Sequence, residues 1–317
     1  MKTVFMASDG IAIPAMEALK SSGLAELVGV VSNPDKPKGR GKKLSPNEVS
    51  MWALERGVAL MRPEKSPAED CVEWMGRLGV ECIIVMAYGR ILKPQIYEFP
   101  RLGCLNLHGS LLPQLRGASP VETSLALGDR ETGVTLMKVV REMDAGDMAG
   151  KIMVPIGPRE TGAGLRSKIA HASAQLLIEK LPEIAAGSLK FEPQDARGAT
   201  YARKLSKADM MLDFNKSAEE LDRRIRAFGG GLVPFGGGML KIGEAFALEG
   251  NPHEKPGSIL SVSSDGISIG CRTGVLKVTK LQAPCAKMLS VAEFLNGFRL
   301  EAGAVFESTE NPPLLRP

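Results

Sequence analysis

Residues 103–120 read GCLNLHGSLLPQLRGASP and place two polar residues, Asn106 and His108, at the end of a short apolar run. Polar and apolar residues alternate there, which is the two-residue period of a β-strand, so both side chains lie on one face. A histidine in such a strand can be structural, and an asparagine can cap the strand end. Because the pair shares a face at the carboxyl end of a strand, a catalytic role is an equal alternative.

Short β-branched runs recur through the first half of the chain and alternate with helical patterns. They cover residues 3–6, 27–31, 80–85, 104–107 and 135–140. This alternation predicts an α/β domain with a doubly wound, mostly parallel sheet. Ligands bind such sheets beyond the carboxyl ends of the strands, which makes 8–10, 86–92, 108–117 and 142–147 the candidate site segments.

The length of 317 residues suits two domains. A helical pattern over 164–186 closes the first, which we place at 1–189, and the polar, basic stretch 190–207 is predicted to be a linker. Ser217 and Glu220 predict a capping box ahead of a helix that ends at Phe228. Short β patterns then recur within 208–317, which predicts a small β-barrel or sandwich. The glycines of GGGLVPFGGG at 229–238 predict a loose turn at its entry.

Composition narrows the class of protein. The chain is 44% hydrophobic and 24% charged, which is typical of soluble globular proteins. The first residues, MKTVFMASDG, lack the apolar core of a secretion signal, so we expect a cytoplasmic protein. Five scattered cysteines, without nearby histidines, predict reduced core thiols and no metal site. A net charge of +4 permits a polyanionic partner without requiring one.

An acidic loop follows the last of the predicted strands. A simple Asx-Gly turn explains its sequence, EMDAGD at 142–147, without any chemistry. A carboxylate that reached His108 would orient the ring, stabilise its charged form and take up the proton of an amine nucleophile. Together with Asn106, such a pair suits acyl transfer.

The block NLHGSLLPQLRGASP and the block MDAGDM at 143–148 resemble the signature of the folate-dependent formyltransferases. Other blocks are similar to the branch that formylates methionyl-tRNA, and the similarity extends from the first strand to about Phe306. These blocks are 31–49 (VSNPDKPKGRGKKLSPNEV), 85–92 (VMAYGRIL), 199–207 (ATYARKLSK) and 217–228 (SAEELDRRIRAF). The resemblance implies a Rossmann-like catalytic core and a C-terminal, OB-like β-barrel that binds tRNA.

The resemblance also implies a reaction. The formyl group of 10-formyltetrahydrofolate would pass to the α-amine of methionyl initiator tRNA for translation initiation. Asn106 would donate to the formyl oxygen, His108 would support the same oxyanion, and Asp144 would orient His108. The main alternative is a formyltransferase that acts on a UDP-amino sugar, against which the GRGKKL loop at 39–44 argues.

The folate would lie against the loop at 86–92, the segment at 110–113 and the residues before Asp144. By resemblance its contacts are Met86, Ala87, Tyr88, Gly89, Ile91, Leu92, Ser110, Leu111, Leu112, Pro113, Val139 and Val140. A plain turn after a strand also explains Tyr88 and Gly89.

Two basic stretches are candidates for contact with tRNA phosphates. Glycine and proline break the first, DKPKGRGKKL at 35–44, so it cannot form a helix, and solvated surface is its simple alternative. The candidate cations are Lys38, Arg40, Lys42 and Lys43 in this loop, and Arg203, Lys204 and Lys207 in the predicted linker. We expect a monomer with no membrane partner.

Overall fold

The first half of the chain folds into strands that alternate with helices. The computed structural model describes residues 1–38 and 43–316. Its first strands are β1 (Lys2–Met6), β2 (Glu26–Val31), β3 (Lys36–Lys38), β4 (Lys43–Ser45), β5 (Leu60–Met61), β6 (Cys82–Val85), β7 (Cys104–His108), β8 (Arg116–Gly117), β9 (Glu131–Lys138) and β10 (Met148–Pro155). The helices are α1 (Ile13–Ser21), α2 (Glu48–Glu55), α3 (Glu69–Leu78), α4 (Pro94–Tyr97), α5 (Pro120–Leu127) and α6 (Gly162–Ala185).

Seven of these strands form one sheet in the order β10-β9-β7-β6-β1-β2-β5. The pairings from β7 to β5 are parallel, which confirms the predicted doubly wound, mostly parallel sheet. Its central strands are buried on both faces, as the fully buried Phe5, Ile83 and Ile84 show. Burying each such side chain contributes roughly 1.5–3 kcal/mol.

The direction of β9 differs from the prediction. β9 runs antiparallel to β7, with Thr135 opposite His108 and Lys138 opposite Leu105. The end of β9 therefore lies beside the start of β7, and the acidic loop does not follow the carboxyl end of a parallel strand. The expectation for 142–147 was wrong on this point, and the loop reaches the site by another route.

The second half of the chain forms an antiparallel sheet with flanking helices, as predicted for a small β domain. Its strands are β11 (Tyr201–Ala202), β12 (Gly231–Phe235), β13 (Gly238–Leu248), β14 (Ile259–Ser263), β15 (Gly266–Gly270), β16 (Val275–Gln282) and β17 (Met288–Ser290), with helices α7 (Ala218–Phe228) and α8 (Val291–Leu295). The sheet order is β12-β13-β16-β15-β14, with β17 beside β16, and its arrangement is consistent with a small barrel. Leu221 and Ile225 of α7 share its core with Ile242, Ile269 and Val278.

One local prediction about this domain needs correction. Ser217 caps α7 by accepting the N–H of Glu220 at 3.1 Å, but the Glu220 carboxylate pairs with Lys216 at 2.6 Å. Only half of the predicted capping box is therefore formed. Gly236 and Gly237, with φ of 56° and 74°, form the two-residue turn between β12 and β13. Positive φ at both positions is what a type I′ turn requires, and glycine adopts it readily.

The chain divides into two compact units. The first contains Met1–Pro120, Glu131–Pro155 and Arg166–Tyr201, and the second contains Val121–Arg130, Ile156–Leu165 and the chain from Ala202 onward. Within the second unit, Arg159 forms an ion pair with Asp222 of α7 at 2.8 Å. The predicted boundaries were 1–189 and 208–317 with a linker at 190–207. They assign 121–130 and 156–165 to the first domain, whereas the division into compact units assigns both segments to the second. The predicted boundaries therefore stay a prediction.

Four of the cysteines are buried free thiols, namely Cys71, Cys82, Cys104 and Cys271. Burial raises the pKa of Cys71, Cys82 and Cys271 to about 12, so these thiols are poor nucleophiles. Cys285 is exposed, so the prediction of a core thiol was wrong there. None of the described helices has both the length and the apolar character that crossing a membrane requires.

Candidate active site

The structure brings Asn106, His108 and Asp144 together. Asn106 and His108 share a face of β7, and both approach the same carboxylate. Nδ2 of Asn106 lies 3.5 Å from Oδ1 of Asp144, and Nδ1 of His108 lies 3.7 Å from Oδ2. The first distance is a weak hydrogen bond, and the second is an electrostatic contact beyond hydrogen-bond length.

The ring of His108 is buried, with 5% of its surface exposed. Its Nε2 lies 2.9 Å from the carbonyl oxygen of Leu115, so the contact assigns the proton of the neutral ring to Nε2. The lone pair of Nδ1 then faces Asp144. A proton taken up at Nδ1 would therefore sit beside a carboxylate, which stabilises the charged ring.

The acidic loop reaches His108 because it turns sharply after β9. Asp144 has a left-handed φ of 51°, and Oδ2 accepts the N–H of Gly117 at 2.8 Å. A Cβ at Gly146 would stand 1.9 Å from the carbonyl oxygen of Lys138, so only glycine fits there. This turn directs the chain back over β7 and presents the carboxylate to the polar pair.

Sequence reasoning missed the residues that support this loop. Arg116, only 5% exposed, donates from Nε and Nη2 to Oε1 of Gln194 at 3.1 and 2.7 Å. Nε2 of Gln194 donates in turn to the carbonyl oxygens of Asp144 and Gly146 at 2.8 and 2.7 Å. Gln194 lies in the predicted linker, where a single glutamine has no periodic pattern that would mark it.

Thr200 supports the segment that holds His108. Its Oγ1 accepts the N–H of Leu115, and its carbonyl oxygen accepts the N–H of Arg116, both at 2.8 Å. Leu115 is the residue whose carbonyl oxygen meets the His108 ring. The segment 194–200 thus holds both the acidic loop and the backbone partner of the histidine.

The predicted folate contacts differ in accessibility. Met86, Tyr88, Ser110 and Leu112 are buried, and the Tyr88 ring packs in the core with Met75 and Ile96. Burial raises the pKa of Tyr88 to about 12, so its side chain is a neutral core group. The residue therefore offers only its backbone to a ligand. Ala87, Gly89 and Ile91 are exposed, whereas Leu92, Leu111, Pro113, Val139 and Val140 are half-buried.

One cavity lies beside this region. It has a volume of about 570 Å³ and includes the predicted contacts Leu111, Leu112 and Pro113 in its lining, together with Lys151 and Met153. Residues 86–92 lie outside its lining, so the structure does not join all of the predicted contacts in one cavity. Within 1–38 and 43–316, no three histidine, cysteine or acidic side chains cluster as metal ligands would.

The basic candidates differ in where the structure places them. Arg40 and Lys42 lie outside the described residues, while Lys38 and Lys43 are partners in the backbone register of β3 and β4. Lys204 and Lys207 are exposed.

Arg203 is the exception among the predicted phosphate contacts. It donates all five of its guanidinium N–H groups, to both carboxylate oxygens of Asp209 and to the carbonyl oxygens of Lys204, Pro312 and Pro313. The predicted phosphate contact at Arg203 is therefore corrected to a structural role, because no N–H remains for a phosphate.

Two family models match the chain at both ends of its length. The model described as formyl transferase matches residues 1–181, and the model of the formyl transferase C-terminal domain matches residues 204–299. The first covers more than half of the chain and includes Asn106, His108 and Asp144. The chain therefore belongs to the formyl transferase family.

Curated methionyl-tRNA formyltransferases are similar to the chain over nearly its whole length. That of Aromatoleum aromaticum is 37% identical over 313 residues, which is 97% of this chain and 98% of the relative. That of Halorhodospira halophila is 38% identical over 309 residues, which is 95% of this chain and 98% of the relative.

Solved structures share the fold at low sequence identity. WlaRD, a sugar 3N-formyl transferase solved with dTDP and 5-N-formyl-THF, has a TM-score of 0.62 at 16% identity, covering 88% of this chain and 97% of its own. HypX from Aquifex aeolicus in complex with tetrahydrofolic acid has a TM-score of 0.61 at 18% identity, covering 98% of this chain and 51% of its own.

Proposed function

We propose that the chain transfers the formyl group of 10-formyltetrahydrofolate to the α-amine of methionyl initiator tRNA, giving N-formylmethionyl-tRNA. The observation that carries the proposal is the meeting of Asn106, His108 and Asp144 on one face of β7. The full-length similarity to methionyl-tRNA formyltransferases supports the acceptor. The folate ligands of WlaRD and HypX, which share the fold, support the donor class.

Asn106 is the hydrogen-bond donor for the formyl oxygen. When the amine attacks, negative charge develops on that oxygen, and a preplaced amide N–H stabilises it. Such a donor lowers the barrier by about 2.7–4 kcal/mol. The long contact of 3.5 Å to Asp144 leaves the Asn106 amide available to a substrate.

His108 acts on the oxyanion through its charge. The Nε2 proton is donated to Leu115 and Nδ1 faces Asp144, so the ring in this geometry has no N–H left for the formyl oxygen. Support of the oxyanion by His108 is therefore electrostatic, exerted once the ring has taken up the proton of the amine.

The proton transfers balance within this pair. The neutral α-amine, whose reference pKa is about 7.7–8.0, forms a bond to the formyl carbon and then loses one proton. The bond from that carbon to N10 of the folate breaks, and N10 gains one proton. His108 beside Asp144 can take the first proton and return the second, so no side-chain nucleophile is needed.

The tRNA would be held by cations outside the catalytic cluster. The exposed Lys204 and Lys207 are the described candidates for phosphate contact, and Arg40 stays a prediction from the sequence. Lys43, in the same basic stretch as Arg40, is exposed and is consistent with phosphate contact there. We include in the proposal a tRNA-binding role for the C-terminal β domain, a monomeric state and a cytoplasmic location.

An acceptor assay tests the function. Formyl transfer from 10-formyltetrahydrofolate is measured with initiator methionyl-tRNA, elongator methionyl-tRNA and a UDP-amino sugar. We expect transfer to the initiator tRNA at a rate well above the other two. Transfer to the sugar alone would overturn the proposed acceptor and leave the formyl chemistry standing.

A further inference from the structure

We propose that Gln194 is the positioning residue that holds Asp144 in place for proton transfer. This proposal rests on the proposed function, because it gives Asp144 a role in catalysis. Gln194 lies 50 residues beyond Asp144 in the chain, in a segment to which the sequence assigns only basic character.

The amide of Gln194 joins two parts of the site. Its Nε2 donates to the carbonyl oxygens of Asp144 and Gly146 at 2.8 and 2.7 Å, on either side of Ala145. Its Oε1 accepts two N–H groups of Arg116. The Gln194 side chain thus uses both of its N–H donors on the acidic loop and its oxygen acceptor on Arg116 of β8.

Arg116 fixes which way the amide points. A guanidinium only donates, so Oε1 must face Arg116 and the two N–H groups must face the loop. Arg116 is itself held by the Tyr201 hydroxyl at 3.1 Å and by the backbone of Thr200. Among the described residues no carboxylate pairs with Arg116, so Gln194 provides its main side-chain acceptor.

The loop needs such an external support. Asp144 adopts a left-handed φ of 51°, which an aspartate holds only when its surroundings favour it. Its side chain accepts one short hydrogen bond, from the N–H of Gly117, and only the weak 3.5 Å contact from Asn106 besides. Without Gln194 the two carbonyls lose their donors, and the carboxylate shifts relative to His108.

Two variants separate positioning of the loop from support of Arg116. Gln194→Met removes the bonds to both the loop and Arg116. Gln194→Glu keeps an acceptor for Arg116, and adds an ion pair, but has no N–H for the carbonyl oxygens and places charge against them. If Gln194 served only to support Arg116, the Glu variant would behave like the parent.

We expect each variant to lower kcat by about 100-fold, because loss of the Gln194 amide displaces the Asp144 carboxylate. KM for folate and for tRNA should change little, because Gln194 contacts neither substrate. Gln194→Glu should still fold, with a single cooperative thermal melt. In an Asp144→Asn background either substitution should cause no further loss in single-turnover rate, because both changes act on one group. Gln175→Glu is the matched control, because Gln175 is an exposed residue of α6 that donates to Glu179.

Parental kcat in both Gln194 variants would overturn the proposal, as would losses that add fully to that of Asp144→Asn. A loss in Gln194→Met that Gln194→Glu restores would also overturn it, because support of Arg116 would then suffice. If initiator tRNA is not the acceptor, the acceptor assay with the parent enzyme shows it independently of these variants. The Gln194 variants can then be measured with whichever amine accepts the formyl group.

Discussion

The Asp144 carboxylate accepts the backbone N–H of Gly117 at 2.8 Å, which ties the acidic loop to the segment that follows His108. The same oxygen lies 3.7 Å from Nδ1 of His108. The separation of acid and ring is therefore set by the backbone rather than by the two side chains alone. Substitutions that keep the backbone in place should test the chemistry directly.

His108→Ala and Asp144→Asn should each lower turnover by about 10²–10⁴-fold, because each removes part of the proton relay. Single-turnover transfer at saturating folate and tRNA measures the chemical step. His171→Ala is the control, since His171 is an exposed residue of α6 that contacts the Ser167 carbonyl. Unchanged rates in both site variants would refute their catalytic assignment.

Asn106→Ala should lower kcat by about 10²–10³-fold with little effect on KM, because the lost hydrogen bond forms fully only at the oxyanion. Steady-state kinetics with each substrate varied in turn measures the split between kcat and KM. An exposed asparagine at the end of α8, Asn296, provides the matched Asn→Ala control. A rise in KM alone would make Asn106 a binding residue.

Lys204→Ala and Lys207→Ala should each weaken tRNA binding and reduce the slope of log affinity against log salt by about one. Each exposed ammonium that contacts a phosphate releases a counterion on binding. Titrations of tRNA at several salt concentrations measure the slope, with Lys20→Ala on α1 as the control. A slope equal to that of the parent would remove both lysines from the tRNA path.

Arg40→Ala should raise KM for tRNA and leave KM for the folate unchanged, because the basic loop is predicted to follow the phosphate backbone. The control is Arg56→Ala, which alters an arginine that forms a surface ion pair with Glu17 at 2.6 Å. Parental kinetics for Arg40→Ala would exclude the loop from tRNA recognition.

Asp209→Asn should lower Tm at neutral pH, because it leaves the Arg203 guanidinium without its buried partner, at a cost of about 3–5 kcal/mol. Burial raises the pKa of Asp209, but hydrogen bonds from Arg203 and Ser206 outweigh it and leave the pKa below its ordinary value.

Because the pKa of Asp209 is lower in the folded state than in the unfolded state, its charged form stabilises the fold. This stabilisation is fully present above the unfolded pKa of about 3.9 and is lost as the pH falls through the folded pKa. The Tm gap between parent and variant should therefore close in strong acid. Thermal melts across pH measure it, with Asp265→Asn at an exposed position as the control. A gap that is the same at every pH would contradict the assignment.

The sequence was sufficient for the sheet and for the polar pair, since a period of two places Asn106 and His108 on one face whatever surrounds them. It was insufficient for the route to Asp144, because strand direction depends on pairing between distant segments, and β9 pairs antiparallel with β7. Arg203 was misassigned because its acceptors include Pro312 and Pro313, more than a hundred residues away. Gln194 was missed for the same reason.

The order in which the ribosome makes the chain has a consequence for the site. Asn106, His108 and Asp144 are all present in a nascent chain that has reached residue 144. Gln194 and Thr200, which hold the loop and the backbone partner of the histidine, emerge only later. A fragment that ends at residue 189 would therefore carry every reacting side chain and lack the Gln194 and Thr200 contacts that support the acidic loop and the backbone partner of the histidine.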